Sequence, residues 1–143
     1  MNVNDTLVAL LPSLRLFVAT GNREQDHLWR KAYTAASDVF GEARGLALAH
    51  RLQKALWAVM RARPVPLLVE IDPYDTSLTN DEVLFLELIS AMCEEHTSRA
   101  QDILAMLTYG TVDADAIRNG LSLAALVGGV PSSQKKRPIL RVV

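Results

Sequence analysis

The sequence contains a single cysteine, Cys93, among its 143 residues. No disulfide can form within the chain, and a reducing, cytoplasmic setting is the simplest expectation. Aromatic residues make up only 6% of the chain. Their scarcity, together with abundant alanine and leucine, favours helices over β-sheet.

Long apolar runs and glycine-rich loops are also missing. No apolar stretch approaches the ~18 consecutive residues that a membrane-spanning helix needs, and the N-terminus lacks the positively charged start of a signal peptide. The one glycine pair, Gly128 and Gly129, is placed to end a helix, whereas a phosphate-binding loop would open one. We therefore expect no membrane segment and no nucleotide-binding loop.

The charges are segregated into three blocks, although they sum to only −1. Residues 1–64 carry nine Lys or Arg against five Asp or Glu, and residues 65–128 carry two against eleven. Residues 129–143 carry four basic residues and no acid. Blocks of opposite sign attract each other within a fold or between copies. The pattern therefore concerns assembly more than chemistry.

Apolar residues recurring at helical spacing predict an all-α fold, a single-domain bundle of about six helices. This helical domain covers residues 1–130, and a basic C-terminal tail covers residues 131–143. One extended connector is predicted over residues 65–75, which Pro66 would confine to an edge position. Pro12 lies inside the first helical pattern, so the first helix either kinks there or begins there.

The best-specified helix is predicted over residues 79–96. Thr79 and Glu82 fit a capping box, in which each side chain bonds the other residue's backbone amide. Apolar residues cover most of the helix circumference, and a bundle this small has difficulty covering them all, so we expect a homodimer interface here. The candidate interface residues are Val83, Leu86, Ile89 and Met92.

A second candidate surface is basic. Four residues of the third predicted helix, residues 42–63, recur at steps of seven, three and seven, and the tail adds three more. This candidate basic face comprises Arg44, Arg51, Lys54, Arg61, Lys135, Lys136 and Arg137. It could bind nucleic-acid phosphates, but it lacks interleaved aromatic residues. A solvated basic face opposite an acidic neighbour is the favoured interpretation.

A helix-turn-helix motif is a further possibility for nucleic-acid binding. Ser98 and Gln101 fit a second capping box, and the short helix that they open is followed by another from Asp113. A recognition helix meets DNA with its N-terminus, and here it would present Asp113 and Asp115 to the phosphates. The acids argue against insertion of this helix.

Catalytic and metal-binding constellations are not evident. Glu24 and His27 have the spacing of a helical metal pair, yet the second pair that a di-metal bundle needs is missing. Cys93 and His96 resemble half of a zinc site without the other half. Turn formation and helix capping account for the four acids that could otherwise hold a cation, Asp72, Asp75, Asp81 and Glu82. We expect no cofactor and no enzymatic activity.

The tail is basic at first and then apolar. Residues 139–143 are strand-prone, and the connector contains the other strand-like segment, residues 67–71. We expect the terminal residues to lie against the body or a second subunit, where they could pair with the connector, while residues 135–137 pass over acids of the middle block.

The sequence therefore favours a small cytoplasmic helical module with an interaction or regulatory role. It would act through homodimerisation and protein partners, without contact with a membrane. The alternative is a nucleic-acid-binding accessory protein that uses the third helix and the tail.

Overall fold

The computed structural model describes residues 1–20 and 27–128. Within these ranges the chain forms seven α-helices and no strand, which confirms the all-α fold class with one helix more than predicted. The helices are α1 (Val3–Ala9), α2 (Leu11–Thr20), α3 (His27–Phe40), α4 (Glu42–Arg61), α5 (Asn80–Cys93), α6 (Thr97–Leu107) and α7 (Ala114–Gly128). The basic tail predicted over residues 131–143, with its strand-like end, lies outside the described residues.

The additional helix arises at the proline. The first helical pattern is divided into α1 and α2, which are bent by 41° at Leu10. Pro12 is the second residue of α2, and a proline in the first turn of a helix loses no hydrogen bond. In the described part of the chain no single helix is long and apolar enough to cross a membrane. The bent pair of α1 and α2 passes that test only when the two are taken together.

The helices pack in two connected groups. Helices α2 and α3 pack against α4, α6 packs against α5, and α7 lies between α4 and α5. The buried side chains form one apolar cluster that reaches from α1 to α7. This continuous core explains how a chain of this length buries helices with apolar residues on more than one face.

Two glycines shape the hairpin of α3 and α4. Gly41 separates the helices with a φ of +86°, a left-handed conformation that glycine adopts without strain. One turn later, Gly45 faces the backbone of α3, where a Cβ atom would lie 2.6 Å from the carbonyl oxygen of Ala36. Glycine at this position therefore permits a close antiparallel crossing.

Helix α5 begins with the predicted capping box. The Thr79 hydroxyl accepts a hydrogen bond from the Glu82 amide at 3.1 Å, and the Glu82 carboxylate accepts one from the Thr79 amide at 2.9 Å. The second predicted box, at Ser98 and Gln101, is wrong because α6 starts two residues earlier than an N-cap at Ser98 would place it. His96 is the residue at its N-cap, and its side chain makes no capping hydrogen bond.

The connector between α4 and α5 is present and longer than predicted, spanning residues 62–79. It contains turns and extended backbone without a strand. An irregular segment of this length must satisfy its backbone polar groups by other means than a helix or a ladder.

Candidate functional site

A buried arginine holds the second half of the connector. Arg15, on α2, is only 2% exposed. Its Nε and Nη2 atoms donate to the two carboxylate oxygens of Glu82 at 2.8 and 3.1 Å. Its Nη1 donates to the carbonyls of Pro73 and Asp75 at 3.2 and 2.6 Å, and Nη2 donates to that of Ser77 at 2.8 Å. All five guanidinium N–H groups thus have an acceptor.

The Glu82 carboxylate is satisfied equally well. In addition to Arg15, it accepts hydrogen bonds from the amides of Thr79 at 2.9 Å and Glu70 at 3.1 Å. Burial by itself would raise the pKa of Glu82, but the hydrogen bonds from Arg15 and the two amides outweigh burial and lower that pKa. The hydrogen bond to Glu82 likewise raises the pKa of Arg15. The pair therefore stays charged at neutral pH and ties α2, the connector and α5 together.

A second arginine holds the first half of the connector. Arg63 is 8% exposed, and its Nε donates to the carbonyl of Val65 at 2.8 Å. Its Nη1 donates to the carbonyl of Leu107 at the end of α6 at 2.8 Å, and Nη2 donates to the Asp81 carboxylate at 3.0 Å. The guanidinium lies over the Tyr109 ring, 5.2 Å from its centroid. Arg63 therefore joins the connector to both α5 and α6.

The connector backbone also bonds directly to the start of α5. The Leu68 amide donates to Asp81 at 2.8 Å, and the Leu68 carbonyl accepts from the Thr79 hydroxyl at 2.6 Å. We call the Arg15–Glu82 and Arg63–Asp81 pairs, with these bonds, the two clasps. Helix capping, the role predicted for Glu82, is only part of what these acids do.

Sequence reasoning missed both arginines. Arg15 is the only charged residue between Asp5 and Arg23, and it lies within a run of apolar residues. A lone charge on a buried helix is a signal for a buried partner. The partner itself could not be found by local spacing, because Glu82 is 67 residues away.

The clasps leave several apolar side chains of the connector in solvent. Ile71 is 98% exposed, Tyr74 is 71% exposed and Leu68 is 68% exposed. With the half-exposed Leu78, these residues form what we call the connector face. Val8 of α1 is also exposed and lies across a groove from Tyr74 and Leu78.

Two of the four residues of the predicted α5 interface are buried inside the protein. Ile89 is fully buried and Met92 is 7% exposed, because α1, α6 and α7 all pack against this helix. Val83 and Leu86 are half-buried. The surplus apolar surface expected on α5 is therefore mostly covered within the chain, that of Ile89 completely and that of Met92 almost so.

The described residues of the predicted basic face fall into two sets, one that contacts α7 and one that is exposed to solvent. Arg51 donates to the Ser122 carbonyl at 2.9 Å and Arg44 to the Leu126 carbonyl at 3.4 Å, so both reach the C-terminal half of α7. Cations are favourable there because of the helix dipole. Lys54 and the neighbouring Arg61 are exposed to solvent. The tail members of this face, Lys135, Lys136 and Arg137, lie outside the described residues.

Aromatic rings lie beside the exposed part of the basic face. Trp57 is half-buried on α4 between Lys54 and Arg61. Its ring centroid is 5.4 Å from that of Trp29 on α3. The predicted lack of interleaved aromatic residues is therefore wrong, since Trp57 stands between Lys54 and Arg61 in the sequence itself, and only its pairing with Trp29 depends on the α3–α4 hairpin.

The candidate metal ligands are not assembled. The Cys93 thiol donates to the Ala124 carbonyl at 3.4 Å, and burial raises its pKa to about 11. His96 is exposed beyond the end of α5, and His27 is exposed at the start of α3. Among residues 1–20 and 27–128, no three His, Cys, Asp or Glu side chains are grouped to hold a metal ion. Glu24 lies outside these ranges.

The fold and the clasps define a small helical protein with a rigid, exposed connector. Comparison with protein-family models, with curated proteins and with solved structures gave no match to this chain. The described geometry favours a docking surface, because the residues of the connector face are apolar and exposed to solvent.

Proposed function

We propose that this protein is a helical interaction module that docks a protein partner, in the first instance a second copy of itself, through the connector face. The observation that carries the proposal is the exposure of Ile71 on a backbone held from both sides by buried arginines. Single exposed apolar residues are normal on protein surfaces. Four of them within residues 68–78, on a loop held by a rigid scaffold, are the pattern of a binding surface.

The clasps support this function energetically. A flexible loop loses conformational entropy when it binds, at a cost of about 1–2 kcal/mol for each residue whose backbone becomes fixed. In this protein the loop backbone is already ordered, because Arg15 bonds three connector carbonyls and Glu82 bonds the Glu70 amide. Binding would therefore retain more of the free energy that apolar burial supplies.

The charge pattern supports a second copy as the partner. The connector contains Glu70, Asp72 and Asp75, whereas the exposed side of α3 and α4 contains Lys54 and Arg61. A connector face docked on the basic side of another copy would pair opposite charges around apolar contacts. Two such contacts related by a two-fold axis would close a dimer.

Changing Ile71 and Leu68 to aspartate should weaken self-association. We expect a dimer mass, near twice the 15.7 kDa of the chain, for the wild type at micromolar concentration. The double variant should raise the dissociation constant by at least ~10-fold, since buried interface anchors contribute more than ~1 kcal/mol each. Light scattering over a concentration series measures both. Neither substitution should affect folding, because both side chains are exposed.

The matched control is Met106→Asp with Val112→Asp. These apolar side chains are also exposed, but they lie on α6 and after it and do not belong to the connector face. The control should dimerise as the wild type does. A wild-type chain that stays monomeric would contradict self-association, and equal weakening by both double variants would contradict the connector as its site.

Nucleic-acid binding is the second candidate function, and the Trp29–Trp57 pair is the observation that favours it. Exposed cations lie within one helical turn of the tryptophans: Lys54 and Arg61 before and after Trp57 on α4, and Arg30 next to Trp29 on α3. Cations that contact phosphates beside aromatic rings that stack on bases are typical of single-strand binding surfaces. This candidate ranks second because Arg44 and Arg51 are engaged with α7 and the acidic block repels the same phosphates.

Replacing Lys54 and Arg61 with glutamate tests this candidate. We expect weak binding of single-stranded DNA by the wild type, with a dissociation constant above ~1 µM at about 150 mM salt. The double variant should not bind single-stranded DNA even at low salt. Arg99→Glu with Arg118→Glu, in the acidic block of residues 65–128, should reduce binding less. Fluorescence anisotropy at several salt concentrations measures both. Sub-micromolar binding at the higher salt would place this function first.

A further inference from the structure

A groove runs between the N-terminal helices and the connector. Its volume is about 340 Å³, many times the roughly 30 Å³ that one water occupies in the liquid. Apolar side chains form most of both walls. The α1–α2 wall contains Val8, Leu11 and Pro12, and the connector wall contains Pro73, Tyr74 and Leu78.

The groove is formed before anything binds. Arg15 lines it and bonds the carbonyls of Pro73, Asp75 and Ser77 on the connector side. Since Glu82 neutralises the guanidinium, this buried arginine gives the groove little net positive charge. Because Arg15 on α2 is bonded to the connector, the two walls are held apart at a fixed separation, and the connector does not close over the apolar surface between them.

One acidic residue, Asp75, lines the groove, and two more lie within one helical turn or one residue of lining residues in the chain; together we call them the acidic rim. Asp5 is exposed on α1, one turn before Val8, and Asp72 and Asp75 flank the Pro73–Tyr74 turn. Oδ1 of Asp72 accepts a hydrogen bond from the Tyr74 amide. Oδ1 of Asp75 accepts hydrogen bonds from the amide and the hydroxyl of Ser77. A rigid apolar groove with an acidic rim fits a short segment that combines aliphatic and basic side chains.

We propose that the groove is occupied by residues 135–143 of the same chain. This segment reads Lys-Lys-Arg-Pro-Ile-Leu-Arg-Val-Val, with four basic residues, four aliphatic residues and no acid. The basic residues complement the rim, and the aliphatic residues complement the walls. No other stretch of the sequence of this length combines four basic residues with the absence of acids.

The linker is long enough for the segment to reach the groove. Gly128, at the end of α7, lies beside Asn2 and Asn4 at the start of α1. From Asn4 to Val8 the α1 axis advances only about 6 Å. The six residues that separate Gly128 from the segment, 129–134, can extend over about 20 Å. A linker this short gives the segment an effective concentration in the millimolar range.

Occupancy by the tail would cover Tyr74 and Leu78, which also belong to the connector face. A partner that uses those two residues would then have to displace the tail, while Leu68 and Ile71 would remain accessible. The tail contact stands independently of the proposed function, since a strictly monomeric protein could also make it.

Paired cysteines in the full chain test the contact. Thr76 lines the groove and is exposed, so Thr76→Cys with Leu140→Cys should form a disulfide within one chain under mild oxidation. Ala43→Cys with Leu140→Cys is the matched control. Ala43 is exposed at the start of α4 beside Arg44, which itself reaches the end of α7. Cys93 can stay, because its half-buried thiol has a pKa of about 11.

We expect the Thr76 pair to close at least ~10-fold faster than the Ala43 pair, as followed by mass spectrometry and non-reducing gels. Changing Lys135, Lys136 and Arg137 to glutamate should remove most of that difference. Val8→Cys, on the opposite wall, gives a second groove pair with Leu140→Cys that should behave as the Thr76 pair does. Equal rates for groove and control pairs would overturn the proposal. Disulfide-linked dimers from the groove pairs would overturn it in favour of a tail exchanged between two copies.

Discussion

Replacing Arg15 with methionine should lower the free energy of unfolding by about 3–5 kcal/mol, or roughly 10–15 °C in Tm for a chain of this size. The substitution leaves the buried Glu82 carboxylate without its cation. It also removes the donors to the carbonyls of Pro73, Asp75 and Ser77. Urea titration and thermal melting, both followed by circular dichroism, measure the loss.

The control for this variant is an exposed ion pair. Arg118 pairs with Asp115 on the surface of α7, with the two side chains 70% and 51% exposed. Arg118→Met should change the stability by less than about 1 kcal/mol, because water screens such pairs. If Arg15→Met has as little effect as Arg118→Met, the buried pair does not hold the fold together.

The same pair predicts how stability responds to acid. The native pKa of Glu82 lies below the ordinary value, so its stabilising contribution is complete above the ordinary glutamate pKa of about 4.3. The contribution is lost as the pH falls through that value towards the lowered native pKa. Glu82→Gln should therefore make the decrease of Tm between about pH 5 and pH 3 shallower. An unchanged slope would mean that Glu82 does not carry this pH dependence.

Replacing Gly45 with alanine should have the second-largest effect, a loss of about 1–3 kcal/mol. A Cβ atom there would lie 2.6 Å from the Ala36 carbonyl oxygen and 2.6 Å from the Ser37 Cα. Both are backbone atoms, so α3 would have to move away from α4. The loss should appear although alanine is intrinsically the better helix former by about 0.5–1 kcal/mol. Urea titration gives the difference directly.

Gly120→Ala is the matched control for Gly45→Ala. A Cβ atom at Gly120 would meet the Met92 sulfur at 2.8 Å and its terminal methyl at 2.9 Å. These atoms end a flexible side chain that can move. We expect a stability within about 1 kcal/mol of the wild type. Equal losses at the two glycines would contradict a backbone-to-backbone crossing of α3 and α4.

Local signals in the sequence predicted most of the local structure, with the capping box at Ser98 and Gln101 as the exception. The Thr79–Glu82 capping box and the proline inside the first helical pattern are both encoded within a few residues, and both are found where the sequence indicates. The connector was also placed correctly, because prolines and a turn sequence interrupt the helical pattern there. The all-α class follows from the same periodicity.

Long-range packing could not be predicted in this way. The apolar circumference of α5 shows that the helix must be covered but not by what, and α1, α6 and α7 cover Ile89 and Met92 within the chain. The stripe from Arg44 to Arg61 likewise shows spacing but not direction. Two of its members, Arg44 and Arg51, turn towards α7. The partner of each residue depends on which helices become neighbours.

The most direct test of the central claim, that buried arginines hold the connector in one conformation, is amide hydrogen exchange measured by NMR. The amides of Leu68 and Glu70 lie outside any helix, yet each donates to a carboxylate of α5. We predict that both exchange slowly in the wild type, and that Arg15→Met accelerates exchange at Glu70 more than at Leu68. Exchange at the rate of an unstructured peptide in the wild type would contradict the account, because the connector face would then not be preformed.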